Sequence, residues 1–299
     1  MPKYLVVGGA GFIGSNLADE LIKRKHRVIV LDNLSTGKKS NVNPKAKFIK
    51  ADITKLEKIR PAFQGVDGVF HLAAIPRVQF SIEHPLETHN ANVNGTLNVL
   101  IAARDAKVKR VVYSASSSAY GDSKVFPLHE RLQPNPISPY GLHKLIGEEY
   151  CRLFSLLYGI ETVSLRYFNV YGPRMADSGA YLTVIKVFLN QKKSGQPLTI
   201  TGDGNQTRDF THVRDVVHAN LLAMASKKAR KGEVMNIGAG KNYSVNHIAE
   251  LIGGSKQYVS PRIEPKHTLA DNSLAKKLLG WRPKEKLEKA IKELLTLDT

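Results

Sequence analysis

A chain of 299 residues, 42% of them hydrophobic, can bury the core of one large domain or of two closely joined ones. Lys and Arg number 44 against 26 Asp and Glu, a net charge of +18. The lysines are scattered in pairs such as Lys38-Lys39 and Lys192-Lys193, with no dense basic block, which argues against nucleic acid and leaves a small anionic substrate as the simpler partner. The one cysteine, Cys151, rules out an intramolecular disulfide and is read as a core or interface thiol. No leader segment is visible, no apolar run reaches the length of a membrane span, and the histidines are dispersed without metal-ligand spacing. A metal-free cytoplasmic protein is the expectation.

The elements alternate along the chain. The apolar run "KYLVVGG" precedes a helix over about residues 11–25, followed by the strands "RVIVLD", "AKFIKAD" and "GVFHLAA". A helix over about residues 87–106, the strand "RVVYSA", a helix over about 139–158 and the strand "ETVSLRYF" complete the series. Short Val/Ile runs between helices predict an α/β fold with a doubly wound parallel sheet covered on both faces. After about Phe168 the rhythm loosens into Gly- and Asp-rich loops, "EVMNIGAG" reads as one more strand, and the helical tail is interrupted at 280–283. The expected division is a first domain over 1–167, with about 209–240 returning to it, and a smaller interleaved α/β lobe over 168–299.

Two clusters carry chemistry. In "VVGGAGFIG", Gly8, Gly11 and Gly14 sit between a strand and a helix. Glycines there allow a tight turn and close approach of a pyrophosphate to a helix N-terminus, the Rossmann-type dinucleotide site. Asp32, ending the next strand, can accept from ribose hydroxyls and would repel a 2′-phosphate, which favours NAD over NADP, although Lys38 and Lys39 lie close by in sequence. Asp52 can reach an adenine amino group or cap the next turn. Ala73 and Ala74 leave room for the cofactor, and Asn92 belongs to a helix expected to line the same crevice.

In "SPYGLHKL", Tyr140 and Lys144 are four residues apart and share a helix face. An ammonium beside a phenol lowers its pKa from about 10, and a cationic nicotinamide lowers it further, making Tyr140 a usable base. Ser116, ending the fifth strand in "SASSSAYG", can both donate to and accept from a substrate hydroxyl. Ser116, Tyr140 and Lys144 above a dinucleotide suit hydride abstraction from a secondary alcohol.

Taken together, "GGAGFIG", "DNLSTG", "HLAA", "NVNGT", "SSSAYGD", "SPYGLHK", "LRYFNVYGPR" and "GDGNQTRDFTHVRDV" resemble the extended short-chain dehydrogenase/reductases, in the NAD-dependent nucleotide-sugar epimerase/dehydratase branch. The resemblance covers nearly the whole chain and implies cofactor contacts from Phe12, Ile13, Asn33, Ile53 and Leu72 as well. Related dehydratases carry an acidic pair at the positions of Ser117 and Ser118, and related decarboxylases carry Glu at the second. Serines there point to reversible C4 oxidation of a UDP-hexose, a 4-epimerase, with glucuronate epimerisation, nucleotide-sugar reduction and a non-catalytic NAD-sensing or RNA-binding role as alternatives. The resemblance further implies that Asn169 meets the diphosphate or sugar, that Leu198, Thr199 and Ile200 pack along a uracil, and that Arg208 binds diphosphate. Arg262 and Glu264, in "PRIEPKHTLAD", stand one residue closer together than the family's phosphate and ribose pair. The resemblance also implies that Thr268 faces the sugar's 2-substituent, where so small a residue would admit an N-acetyl group. A homodimer is implied through the helices around 87–106 and 139–158.

Overall fold

The computed structural model describes residues 1–176, 183–261 and 266–297. Six strands follow one another through the first half: β1 (Lys3–Val7), β2 (Arg27–Asp32), β3 (Lys47–Lys50), β4 (Gly68–His71), β5 (Arg110–Ser116) and β6 (Glu161–Tyr167). Later come β7 (Val170–Tyr171), β8 (Leu198–Thr201), β9 (Thr207–Asp209), β10 (Thr211–His212), β11 (Lys231–Ile237), β12 (Asn242–Ser244) and β13 (Lys256–Val259). Seven of these form one parallel sheet in the order β11-β6-β5-β4-β1-β2-β3. The expected α/β fold is therefore present. "EVMNIGAG" supplies the edge strand β11, paired with β6.

The strands are buried on both faces because helices cover both. Val6, Val30, Phe70 and Val112 point to one side and meet α1 (Phe12–Lys23) and, from the second half, Val213–Ala225. Leu5, Val7, Val69 and Val111 point to the other, toward Gly95–Asp105 and the long helix Pro139–Tyr158. Successive strand residues alternate faces, so one Val-rich run feeds two cores. The chain runs outward from β1 to β3 and then crosses back to β4. That reversal opens a crevice beyond the carboxyl ends of β1 and β4, where ligands bind in this architecture.

Three expectations are refined. The fourth strand stops at His71, and the N–H groups of Leu72 and Ala73 both donate to Val7 O (2.8 and 2.9 Å), curling the chain over the crevice. The single helix expected over 87–106 begins earlier, at Pro85–His89, passes through a wide turn at Asn90–Asn94 and resumes at Gly95–Asp105. The C-terminal tail is divided. Ser273–Leu279 and Trp281 pack onto the sheet's first face, whereas Leu287–Leu297 joins a separate core with Ile185, Phe188, Leu198, Ile200 and Ile248.

Candidate active site

A cavity of about 730 Å³ lies over the crevice. Gly8, Gly11, Phe12, Ile13, Gly14, Asp32, Asn33, Asp52, Ile53, Leu72, Ala73 and Ala74 line one end of it, and Ser116, Ser117, Ser118, Tyr140, Lys144 and Asn169 line the other. The first group fits a dinucleotide. No side chain caps the N-terminus of α1 and its first turn holds no acidic residue, so its N–H groups face the cavity ready for an anion. A Cβ on Gly14 would stand 2.2 Å from Gly8 O, so only glycine lets the turn close this tightly. Asp32 is 8% exposed and accepts from Ala10 N (2.9 Å) and Leu34 N (2.8 Å), which shapes the turn and leaves lone pairs for ribose hydroxyls. Partial burial pushes the Asp52 carboxyl up, but hydrogen bonds from Thr54 and Asn33 outweigh it and hold it below the usual value.

Asn92 has a different place from the expected one. It is 1% exposed, does not line the cavity, and clamps the loop after β4: its amide oxygen accepts from Ile75 N (2.7 Å) and its amide nitrogen donates to Ile75 O (3.1 Å). It shapes the cavity wall from behind.

The serine stretch is ordered by its own hydrogen bonds. Ser116 Oγ accepts from Ser118 N and donates to Ser118 Oγ, both at 3.1 Å, turning the chain from β5 into a short 3₁₀ turn. The long helix, α2 here (Pro139–Tyr158), starts against that turn. Ser138 caps it by accepting from Gly141 N (3.1 Å), and Pro139 sits at its first position. A Cβ on Gly141 would lie 2.6 Å from Ser118 O, so glycine there lets the helix touch the serine turn and brings Tyr140 to the same end of the cavity as Ser116.

Lys144 is 3% exposed, donates to Ser114 O at 2.6 Å, and lies 6.0 Å from the centre of the Tyr140 ring. Burial pulls its ammonium down to about 8, with Glu148 one turn further on opposing the fall. Glu148 is itself pushed up by burial and held back by Arg166, whose guanidinium grips both its oxygens (2.9 and 2.6 Å) with the two side chains 2% and 4% exposed. His71, beneath Lys144, is held neutral by burial and by that ammonium, its value near 3. Burial pushes the Cys151 thiol to about 12, which removes it as a nucleophile. The Ser114 carbonyl and Glu148 were not legible as site residues, because both act through partners distant in sequence or shielded from the cavity.

On the substrate side, Asn169 adopts φ +30° and donates to Asp209 O (3.1 Å) and Thr268 Oγ1 (3.2 Å). Thr268 thus stands behind Asn169 and outside the cavity lining. Leu198 and Ile200 are fully buried in the second core, so their side chains do not reach a ligand; Thr199 between them bonds Gln191. Arg208 donates to the carbonyls of Thr207 (2.9 Å) and Lys266 (3.2 Å). Arg262 and Glu264 lie outside the described residues. Among the described residues no group of three or more His, Cys, Asp or Glu could hold a metal ion, and no helix is long and apolar enough to cross a membrane.

Residues 4–238 match the model of the "NAD dependent epimerase/dehydratase family". The chain belongs to this family. Its cofactor is accordingly NAD, in agreement with the fit of the glycine turn and Asp32. Among family members, a putative UDP-glucose 4-epimerase of Methanocaldococcus jannaschii is 42% identical over 97% of this chain and 96% of its own. A UDP-glucose 4-epimerase of Thermotoga maritima, solved with UDP-glucose, superposes with a TM-score of 0.93 at 40% identity, covering 99% of this chain and 97% of that one. A UDP-N-acetylglucosamine 4-epimerase of Methanobrevibacter ruminantium, solved with UDP-N-acetylmuramic acid, has the same TM-score at 34% identity and the same coverage of both chains.

Proposed function

We propose that this chain is an NAD-dependent UDP-sugar 4-epimerase, an isomerase, acting on UDP-hexoses. The observation that carries the reading is the composition of one cavity end: Ser116, Tyr140 and Lys144 converge there, and the flanking positions 117 and 118 hold serines. A serine hydroxyl is a poor acid or base near neutral pH, so elimination and decarboxylation lack their carboxylate and reversible oxidation at C4 remains.

Nicotinamide, when bound, supplies the reversible hydride acceptor. Tyr140 takes the C4 hydroxyl proton as the oxygen becomes a ketone, and later returns it. Ser116 holds that oxygen by hydrogen bonding, its hydroxyl free to donate once Ser118 is released. Lys144 keeps the phenolate accessible from below, and Ser114 O fixes the lysine. Lifting and inverting the 4-keto sugar about its pyrophosphate requires a grip on the nucleotide, for which Asn169, Arg208, Arg262, Glu264 and the segment from Leu198 to Ile200 are the candidates. Leu198 and Ile200 act there as the core under the segment's backbone.

Thr268 is small and stands behind Asn169 without filling the cavity, so UDP-GlcNAc and UDP-GalNAc are proposed substrates beside UDP-glucose and UDP-galactose. The test is incubation with UDP-glucose, UDP-GlcNAc and UDP-glucuronate, reading C4 inversion by NMR. Inversion of both hexose types supports the reading, and inversion of glucuronate alone overturns it. Thr268→Tyr should lower the rate on UDP-GlcNAc relative to UDP-glucose; an unchanged ratio refutes the pocket assignment. A homodimer is proposed through exposed apolar residues on the helices beside the site, Ile82 (53%), Leu86 (81%) and Leu142 (46%). A monomeric mass by light scattering at micromolar concentration would contradict it.

A further inference from the structure

Asp209, in the stretch "TRDF", is a carboxylate that the reaction does not use. It is fully buried at the end of β9. Its Oδ1 accepts from Ala239 N (2.7 Å) and its Oδ2 from Gly240 N and Ala270 N (both 3.0 Å). Three backbone donors from two separate segments converge on one side chain. Its peptide group is engaged as well: Asp209 N donates to Thr268 Oγ1 (3.2 Å), and Asp209 O accepts from Asn169 Nδ2 (3.1 Å). The same Asn169 amide donates to Thr268 Oγ1 (3.2 Å), which closes a ring of three residues. The space is filled to contact, since a Cβ on Gly238 would lie 2.9 Å from Asp209 Oδ2.

Asn169 lines the cavity with a left-handed φ of +30°, a conformation that persists only where its surroundings over-determine it. Asp209 provides that determination. Through its carboxylate it anchors the 239–240 and 270 segments, and through its peptide group it aligns Asn169 and Thr268 on that anchor.

We propose that Asp209 is a positioning residue for the substrate, holding Asn169 in the wall of the sugar-nucleotide site, with Thr268 bracing it from behind, while leaving the cofactor end and Tyr140 untouched. This rests on the UDP-sugar reading above. Burial pushes the Asp209 carboxyl up to about 6, against the pull of its hydrogen bonds from Ala270, Gly240 and Ala239. The groups facing it are those backbone donors, the Thr211 hydroxyl, and the Tyr243 phenol, which its charge helps to raise. Arg208, next in sequence, points its guanidinium to the carbonyls of Thr207 and Lys266. Protonation sets a hydrogen against N–H donors and loosens the clasp. Because the folded value lies above the ordinary 3.8, the ionised form costs fold stability at neutral pH, and acidification relieves that cost. A KM that rises on acidification is therefore not the trace of unfolding through this group.

The experiment compares wild type and Asp209→Asn, each with its bound NAD, in steady-state kinetics on UDP-glucose or UDP-GlcNAc from pH 5 to 8. For the variant at pH 7.5, KM should rise about tenfold while kcat changes less than about threefold and NAD content is unchanged. In wild type, KM should rise as pH falls through about 6, and this acid limb should vanish in the variant. An unchanged KM in the variant, or a loss of NAD in step with KM, overturns the inference. Should the variant not fold, a wild-type KM that stays flat down to pH 5 overturns it equally. Wild-type enzyme that inverts no UDP-sugar at all refutes the functional reading, a result distinct from a working wild type with an indifferent Asp209.

Discussion

Raising the pH should make this protein more stable and less active over the same interval, because of Lys144. Its ammonium is buried under Tyr140 with Ser114 O as acceptor, and its value falls from 10.5 to about 8. Below pH 8 the folded and unfolded chains both carry the proton, and the fold bears the full penalty of burying the charge. Between 8 and 10.5 the unfolded chain holds more protons than the folded one, so stability rises with pH. Each pH unit across which the two chains differ by one proton is worth about 1.4 kcal/mol, so the gain from pH 7 to 10 comes to about 2.5 kcal/mol. Activity moves the other way, because a neutral amine no longer supports the Tyr140 phenolate. Urea unfolding of wild type and Lys144→Met across pH 7–10 isolates the effect, since other titrating groups cancel in the difference. The wild-type advantage should grow by about 2 kcal/mol or more while kcat falls along a limb near pH 8. A difference that stays flat with pH would refute the assignment of a depressed, catalytically required ammonium.

Tyr140→Phe should lower inversion by at least about a hundredfold and leave bound NAD in place, read by NMR and by cofactor release on denaturation. Glu148→Gln leaves Arg166 half-paired in the core and should cost about 3–5 kcal/mol in urea unfolding, whereas Glu148→Leu combined with Arg166→Met should recover most of it. Gly14→Ala forces a Cβ to within 2.2 Å of Gly8 O and 2.8 Å of Gly9 Cα, backbone atoms that cannot swing aside, so the purified variant should come without NAD. Full NAD occupancy there would contradict the close-turn account.

The sheet was readable because its strands are runs of Val, Ile and Leu flanked by helices, a pattern set by burial on two faces. The cofactor end was readable because a glycine turn and an acidic strand end lie close in sequence and act locally. Elsewhere the determining bonds are long-range. Asn92 looked like a crevice residue and is a clamp on Ile75; Asp209 looked like a loop residue and ties Ala239, Gly240 and Ala270 together. For Leu198 and Ile200, strand alternation in "LTIT" is itself the signature of a one-sided core, and that signal is what the structure follows. The helix expected over 87–106 starts earlier, at Pro85, and widens at Asn90–Asn94, which places Asn92 against the loop after β4.

The most direct test of reversible oxidation with an internally retained hydride is inversion of UDP-glucose in D₂O with no nicotinamide added. Equilibration of the C4 epimers with protium kept at C4 is the predicted result. Deuterium at C4, or a reaction that proceeds only with added reduced nicotinamide, would contradict it.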